Sequence, residues 1–175
     1  MASPLLVAYT TQSGSTAEVA QAVGSAIHEL GLAVNVLRMS AVKSLDGYQG
    51  LIVGAPLDAG RFPRECHQFI AAHRAALAGM RPWLFVLGPT RNEAADFEGA
   101  HKQAEAELNR YPWLRVAELH IFGGRFDMDH LAFPFRLVRY LPASLLRRIP
   151  TGDIRDWNAI REWAQQIARQ VKTAA

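Results

Sequence analysis

The chain has 175 residues, 50% hydrophobic and 20% charged, with 13 glycines and 9 prolines, which excludes a disordered, collagen-like or low-complexity protein and suits one domain with its own core. Its net charge of +3 is too small to argue for nucleic acid, and no uncharged apolar run nears the ~20 residues of a membrane span. A single cysteine, Cys66, permits neither an internal disulfide nor a cysteine-based metal cluster, and the first four residues have no signal-like character, so a cytoplasmic protein is expected.

Residues 5–9 (Leu-Leu-Val-Ala-Tyr) are a continuous apolar run, which predicts a buried strand. A small polar cluster ends it. Val19, Val23, Ile27 and Leu30 then recur at helical spacing. Ser15 with Glu18 predicts a capping box, and Gly31 the helix stop. Strands are expected over 34–37 and 50–55. Pro63 suits the first turn of a helix carrying Phe69, Ile70 and Leu77 and stopping at Gly79. The fourth strand is predicted over 83–87, closed by Gly88-Pro89. A helix over 95–109 ends before Tyr111-Pro112. The fifth strand, 116–122, is broken by Gly123-Gly124. Trp157, Ile160, Ala164, Ile167 and Val171 mark the last helix, with Asp153 or Asp156 as its cap.

Apolar strands alternating with helices predict an α/β fold, a doubly wound five-stranded parallel sheet with helices on both faces. One domain is expected over 1–175, with 125–155 as an insertion before the last helix, too long for a plain connection.

In such a sheet, ligands bind beyond the C-terminal strand ends. Three loops fall there, at 10–16, 56–62 and 88–96. Thr11, Gln12, Ser13, Gly14, Ser15 and Thr16 would bring hydroxyls and backbone N–H groups to a helix N-terminus, a phosphate site. The loop has no Gly-Lys-Ser/Thr ending and no three-glycine fingerprint, so nucleoside triphosphate and dinucleotide loops are excluded. The plainer alternative is a hydroxyl-rich helix cap.

The run from Thr11 to Thr16 resembles the phosphate loop of the flavodoxin-like family, Thr/Ser-x-Thr-Gly-x-Thr, with Ser13 in place of the middle Thr. The run from Val53 to Phe62 is similar to the second loop of the menaquinone-dependent protoporphyrinogen dehydrogenase type, an enzyme of heme biosynthesis. That type also carries an aromatic, Arg-rich insertion before its last helix. The resemblance implies strand order 2-1-3-4-5 and FMN as cofactor, with its phosphate at 11–16. It implies that Pro56, Leu57, Asp58, Ala59, Gly60, Arg61 and Phe62 lie along one side of the isoalloxazine, and Gly88, Pro89, Thr90 and Arg91 at its other edge. A backbone carbonyl near Gly60 would accept a hydrogen bond from the reduced ring's N5. No clear equivalent of the family's stacking Tyr or Trp stands in the third loop; Phe62 and Phe97 are the candidates, each also readable as packing.

Arg61 and Arg91 would favour a reduced, anionic ring, or be solvated loop charges. The six histidines show no ligand spacing, and Cys66 reads as a buried, inert thiol. Residues 131–149 hold Arg136, Arg139, Arg147 and Arg148 among large apolar residues, with no acid. That mixture suits a peripheral membrane contact, a cover over the flavin, a dimer contact or a packed excursion. The expected function is an FMN oxidoreductase, with a quinone or a redox protein as partner. The alternatives are a single-electron carrier and a flavin-free interaction module. The chain is basic where typical flavodoxins are acidic, which favours the enzyme or an unusual partner. The sequence fixes no oligomeric state.

Overall fold

A computed structural model describes residues 3–126 and 152–174, so the basic stretch 131–149 lies outside the described residues. Strands β1 (Leu5–Tyr9), β2 (Val34–Arg38), β3 (Gly50–Pro56), β4 (Trp83–Leu87) and β5 (Glu118–Phe122) form one parallel sheet in the order β2-β1-β3-β4-β5. Such a sheet needs crossover helices, and these cover both faces, so its central strands are apolar throughout. Pro56, Leu87 and Phe122 lie in register. The loops that follow them therefore open on one edge of the sheet.

The helices are α1 (Ser15–Glu29), α2 (Arg64–Ala72), α3 (Arg74–Ala78), α4 (Ala94–Leu108) and α5 (Trp157–Ala174). On one face α1 and α5 bury Val19, Val23, Ile27, Ile160 and Ile167 against Leu5, Val7 and Ile52. Alternate strand residues, Leu6, Leu51 and Val53, point to the other face and meet Phe69, Ile70 and Leu77. Phe85, Phe122 and Trp163 form an aromatic cluster with centroids 5.6–6.1 Å apart. The Trp163 indole also donates to Glu118 Oε1 at 2.8 Å, so its polar edge is satisfied.

Several boundaries differ from expectation, each for a local reason. The Ser15–Glu18 capping box does not form. Gly14 takes the cap position with φ +91° and no side-chain cap, which makes Ser15 the first helical residue and sends Glu18 elsewhere. Pro63 stands just outside α2 as its N-cap. The helix expected to run to Gly79 breaks at His73 (φ −105°, ψ 20°), whose ring lies 4.7 Å from that of Phe69. The β5 ladder begins at Glu118, because its neighbour Pro82 has a carbonyl for Ala117 (2.9 Å) but no N–H to continue the pairing. Of the two acids offered as caps for α5, Asp156 does the work: its Oδ1 accepts from the Asn158 and Ala159 N–H groups, each at 3.0 Å.

The two ends of the insertion meet. β6 (Arg125–Phe126) pairs antiparallel with β7 (Gly152–Asp153). The Ile154 N–H donates to the Gly124 carbonyl at 3.2 Å and the Gly124 N–H to that of Pro89 at 2.7 Å. This seam returns the chain to the edge where the loops open.

Candidate functional site

The first loop leaves β1 at Thr10, which turns inward. Its N–H donates to the Gly54 carbonyl at 3.0 Å and its hydroxyl to Glu65 Oε2 at 2.6 Å. Glu65 also accepts from the Arg38 guanidinium and from the Ser40 N–H. Burial alone would push the Glu65 carboxyl up, but the hydrogen bonds from Thr10, Arg38 and Ser40 outweigh it and hold it below its ordinary value. The loop start is thus tied to α2, which leaves the residues after Thr10 to face the edge.

Thr11 Oγ1 accepts the Gly14 N–H at 2.9 Å and closes 11–14 into a tight turn. Gly14 has φ +91°, where L side chains rarely go, and a Cβ there would point into open space. The hydroxyl oxygens of Ser13 and Ser15 lie 3.4 Å apart. Thr16 is wholly buried, yet its Oγ1 has no hydrogen-bond partner among the described residues. An unsatisfied buried hydroxyl costs about 1–3 kcal/mol. It belongs to the first turn of α1, whose N–H groups have no acceptor within the helix and carry the positive end of its dipole. Neutral donors at a helix start, one of them orphaned, fit a phosphate monoester.

Beside this turn lies a cluster that motif reading missed. The Arg155 side chain is 2% exposed. Its Nη1 donates to the Ser15 carbonyl at 3.2 Å and pairs with Glu18 at 2.8 Å. Nη2 and Nε grip the two oxygens of Asp153 at 2.6 and 2.8 Å, and the guanidinium lies 4.6 Å from the Trp157 ring centre. Arg125 reaches Glu18 at 3.5 Å. The bonds from Arg155 hold the Asp153 carboxyl below its ordinary value. Nothing in the sequence joins residues 140 positions apart.

The second loop is a two-residue turn. Asp58 and Arg61 exchange both backbone hydrogen bonds at 2.9 Å, and the residues between them, Ala59 (φ 47°) and Gly60 (φ 77°), are left-handed. Positive φ at both centres is the requirement of a type I′ turn. Glycine meets it without strain, whereas alanine does so at about 1–2 kcal/mol. Gln12 Nε2 donates to Asp58 Oδ2 at 3.2 Å, which joins the first loop to the second. The Phe62 N–H donates to Glu107 Oε2 at 3.1 Å. A groove of about 790 Å³ brings Leu57 and Gly60 together with Gly88, Pro89, Thr90 and Arg91, its far wall being α4 with Asp96 and Gln103. That is a common size for a small-molecule site.

The structure sorts the remaining sequence candidates. Pro56 ends β3 with its side chain half-buried, while Asp58, Ala59 and Arg61 are exposed at the turn. The Phe62 ring is buried among Cys66, Phe69 and Ile70, which makes it packing rather than a stacking partner. Phe97, half-buried on α4, is outside the groove lining. Arg91 pairs with Asp96 at 3.1 Å. Cys66 is buried, and burial pushes its thiol up to about 12, so it is un-ionised and inert at neutral pH.

A flavodoxin-domain family model matches residues 6–138. No curated protein matches. Among solved structures, oxidised flavodoxin 1 from Bacillus cereus is 17% identical with a TM-score of 0.58, covering 99% of each chain. A flavodoxin from the domain Archaea is 20% identical with a TM-score of 0.57, covering 97% of this chain and 99% of that one. The metal-soaked Flv1 flavodiiron core from Synechocystis sp. PCC6803 is 17% identical with a TM-score of 0.58, covering 99% of this chain and 37% of its own. At such identities the likeness is one of fold.

Proposed function

The chain belongs to the flavodoxin-domain family, an FMN-binding electron-transfer fold, and from that premise we propose that it is an FMN-dependent oxidoreductase of the protoporphyrinogen dehydrogenase type, which takes electrons from an organic substrate and gives them to a quinone. FMN supplies the capacity to accept two electrons and return them singly or in pairs. The observation that carries the cofactor assignment is the orphaned Thr16 hydroxyl in a turn of neutral donors at the start of α1.

Each part of the site then has a task. Thr11, Gln12, Ser13, Gly14, Ser15 and Thr16 hold the phosphate. Leu57 and Gly60 on one side, and Gly88, Pro89 and Thr90 on the other, flank the ring. A backbone carbonyl near Gly60 would accept a hydrogen bond from the N5–H of the reduced ring. Arg91, which lines the groove and pairs with Asp96, and Arg61, exposed on the turn beside the groove, are the cations that would stabilise negative charge on the reduced ring. The enzyme reading draws support from the likeness of residues 53–62 to the dehydrogenase loop and from the net charge of +3. The basic stretch 131–149 is assigned a peripheral contact with anionic lipid, where a membrane quinone would be met. The second reading is a single-electron carrier between protein partners.

Purified protein is expected to show flavin absorbance and to oxidise protoporphyrinogen IX with a menaquinone analogue as acceptor. Flavin absorbance without turnover would leave the carrier. No flavin, even after incubation with FMN, would reject both. Liposome co-sedimentation tests the lipid contact. Salt-sensitive binding to anionic vesicles is expected for the wild type and is expected to disappear when Arg136, Arg139, Arg147 and Arg148 are all changed to Gln.

A further inference from the structure

We propose that Arg155 is a positioning residue for the phosphate group of the bound nucleotide: it fixes the first turn of α1 and supplies the positive charge that the 11–16 loop itself lacks. The inference rests on the phosphate assignment above.

A guanidinium that is 2% exposed has lost nearly all its hydration, and it survives burial only where it is fully paired. Here it is gripped by Asp153 from one side and Glu18 from another, and it bonds the Ser15 carbonyl in the very turn whose N–H groups face the loop. Among the described residues, Arg155 meets the carboxylates of both Asp153 and Glu18, and Arg125 also reaches Glu18. These charges are not equally screened. The carboxylates of Glu18 and Asp153 are 48% and 39% exposed, against 2% for the Arg155 side chain. Water damps the two anions more than the buried cation. Arg155 therefore brings a weakly screened positive charge to the helix start, and without it Glu18 and Asp153 would oppose any anion bound there. No Lys or Arg occurs between residues 10 and 16, so this charge reaches the loop from the far end of the insertion. The β6–β7 seam puts it there.

Two carboxylates of unequal role follow from this geometry. Asp153 holds Arg155 in place through three bonds, two from the guanidinium and one from the backbone N–H. Glu18, in the first turn of α1, also opposes any anion bound at that turn. Removing Arg155 and removing the Glu18 charge thus shift phosphate affinity in opposite directions. A ligand with the same ring but no phosphate is indifferent to both.

The test is a fluorescence titration of the full-length apoprotein with FMN and with riboflavin, for wild type, Arg155→Gln and Glu18→Gln. Arg155→Gln is expected to weaken FMN binding about tenfold and Glu18→Gln to tighten it about threefold, with riboflavin unchanged to within about twofold in each. Equal loss of both flavins in Arg155→Gln would make the residue a clamp of the fold alone and overturn the proposal. So would unchanged FMN affinity in that variant, or FMN binding that is unchanged or weaker in Glu18→Gln. Where Arg155→Gln does not fold, the sign of the Glu18→Gln effect decides. A wild type that binds FMN no more tightly than riboflavin refutes the phosphate assignment itself, and this inference with it.

Discussion

The two ends of the site are built differently. At the 11–16 end the anchoring groups are buried: Thr10, Ser15, Thr16 and Arg155 lie inside while Gln12 and Ser13 are exposed above them, and the turn is tied to α2 through Glu65 and to the insertion through Arg155. At the other end, Asp58, Ala59 and Arg61 are exposed. The turn they form is held by its own two backbone bonds, by Gln12 and by the Glu107 grip on Phe62. A rigid pocket of oriented donors suits a group whose charge does not change during turnover. An exposed turn with a left-handed alanine suits a ring whose protonation and charge do change. On this account one end fixes affinity and the other adjusts the redox chemistry.

Substitutions that separate FMN from riboflavin break that comparison most directly. Gly14→Val forces a β-branched residue to φ +91° and fills the open space over the helix start, so FMN affinity is expected to fall about a hundredfold or more. Riboflavin affinity is expected to fall far less, and a parallel loss would place the phosphate elsewhere. Thr16→Val keeps the shape and removes the orphaned hydroxyl. FMN binding is expected to weaken about tenfold while the apoprotein gains about 1 kcal/mol against urea, two opposite signs from one methyl-for-hydroxyl exchange. Gly60→Pro demands φ near −65° where the turn needs +77°. It is expected to shift the flavin potentials and to weaken FMN and riboflavin equally, because it touches only the ring end.

Two smaller effects sharpen the contrast. Arg155 holds the folded-state pKa of Asp153 below its ordinary value. That pair therefore contributes stability above about pH 4 and loses it as pH falls through the depressed value. Urea unfolding across acidic pH is expected to show this loss in the wild type and a shallower slope in Asp153→Asn. Ala59→Gly relieves the left-handed alanine at the expense of unfolded-chain entropy, for a net gain of about 0.5 kcal/mol, which thermal unfolding reads.

The sheet was legible because a parallel strand covered on both faces must be apolar throughout, and residues 5–9, 50–55 and 83–87 are such runs. The tight turn after β1 was legible because its residues are contiguous in the chain, with Thr11 Oγ1 closing on the Gly14 N–H. What escaped was set by contacts across the fold. The Ser15–Glu18 pattern reads as a capping box, but Gly14 in the left-handed region takes the cap and frees Glu18 for Arg155 and Arg125. The Phe62 ring packs with Cys66, Phe69 and Ile70, and its N–H is held by Glu107, forty-five residues on. The break at His73 follows no Gly or Pro. Arg155 carries no local signature, since its value comes from the β6–β7 seam that delivers it to α1.

A crystal structure of the protein with FMN would show whether its phosphate sits in the 11–16 turn. A phosphate oxygen is expected within about 3 Å of Thr16 Oγ1, with the Arg155 guanidinium still bonded to the Ser15 carbonyl behind the turn. A phosphate bound away from this turn, with the Thr16 hydroxyl still unpartnered, would contradict that placement.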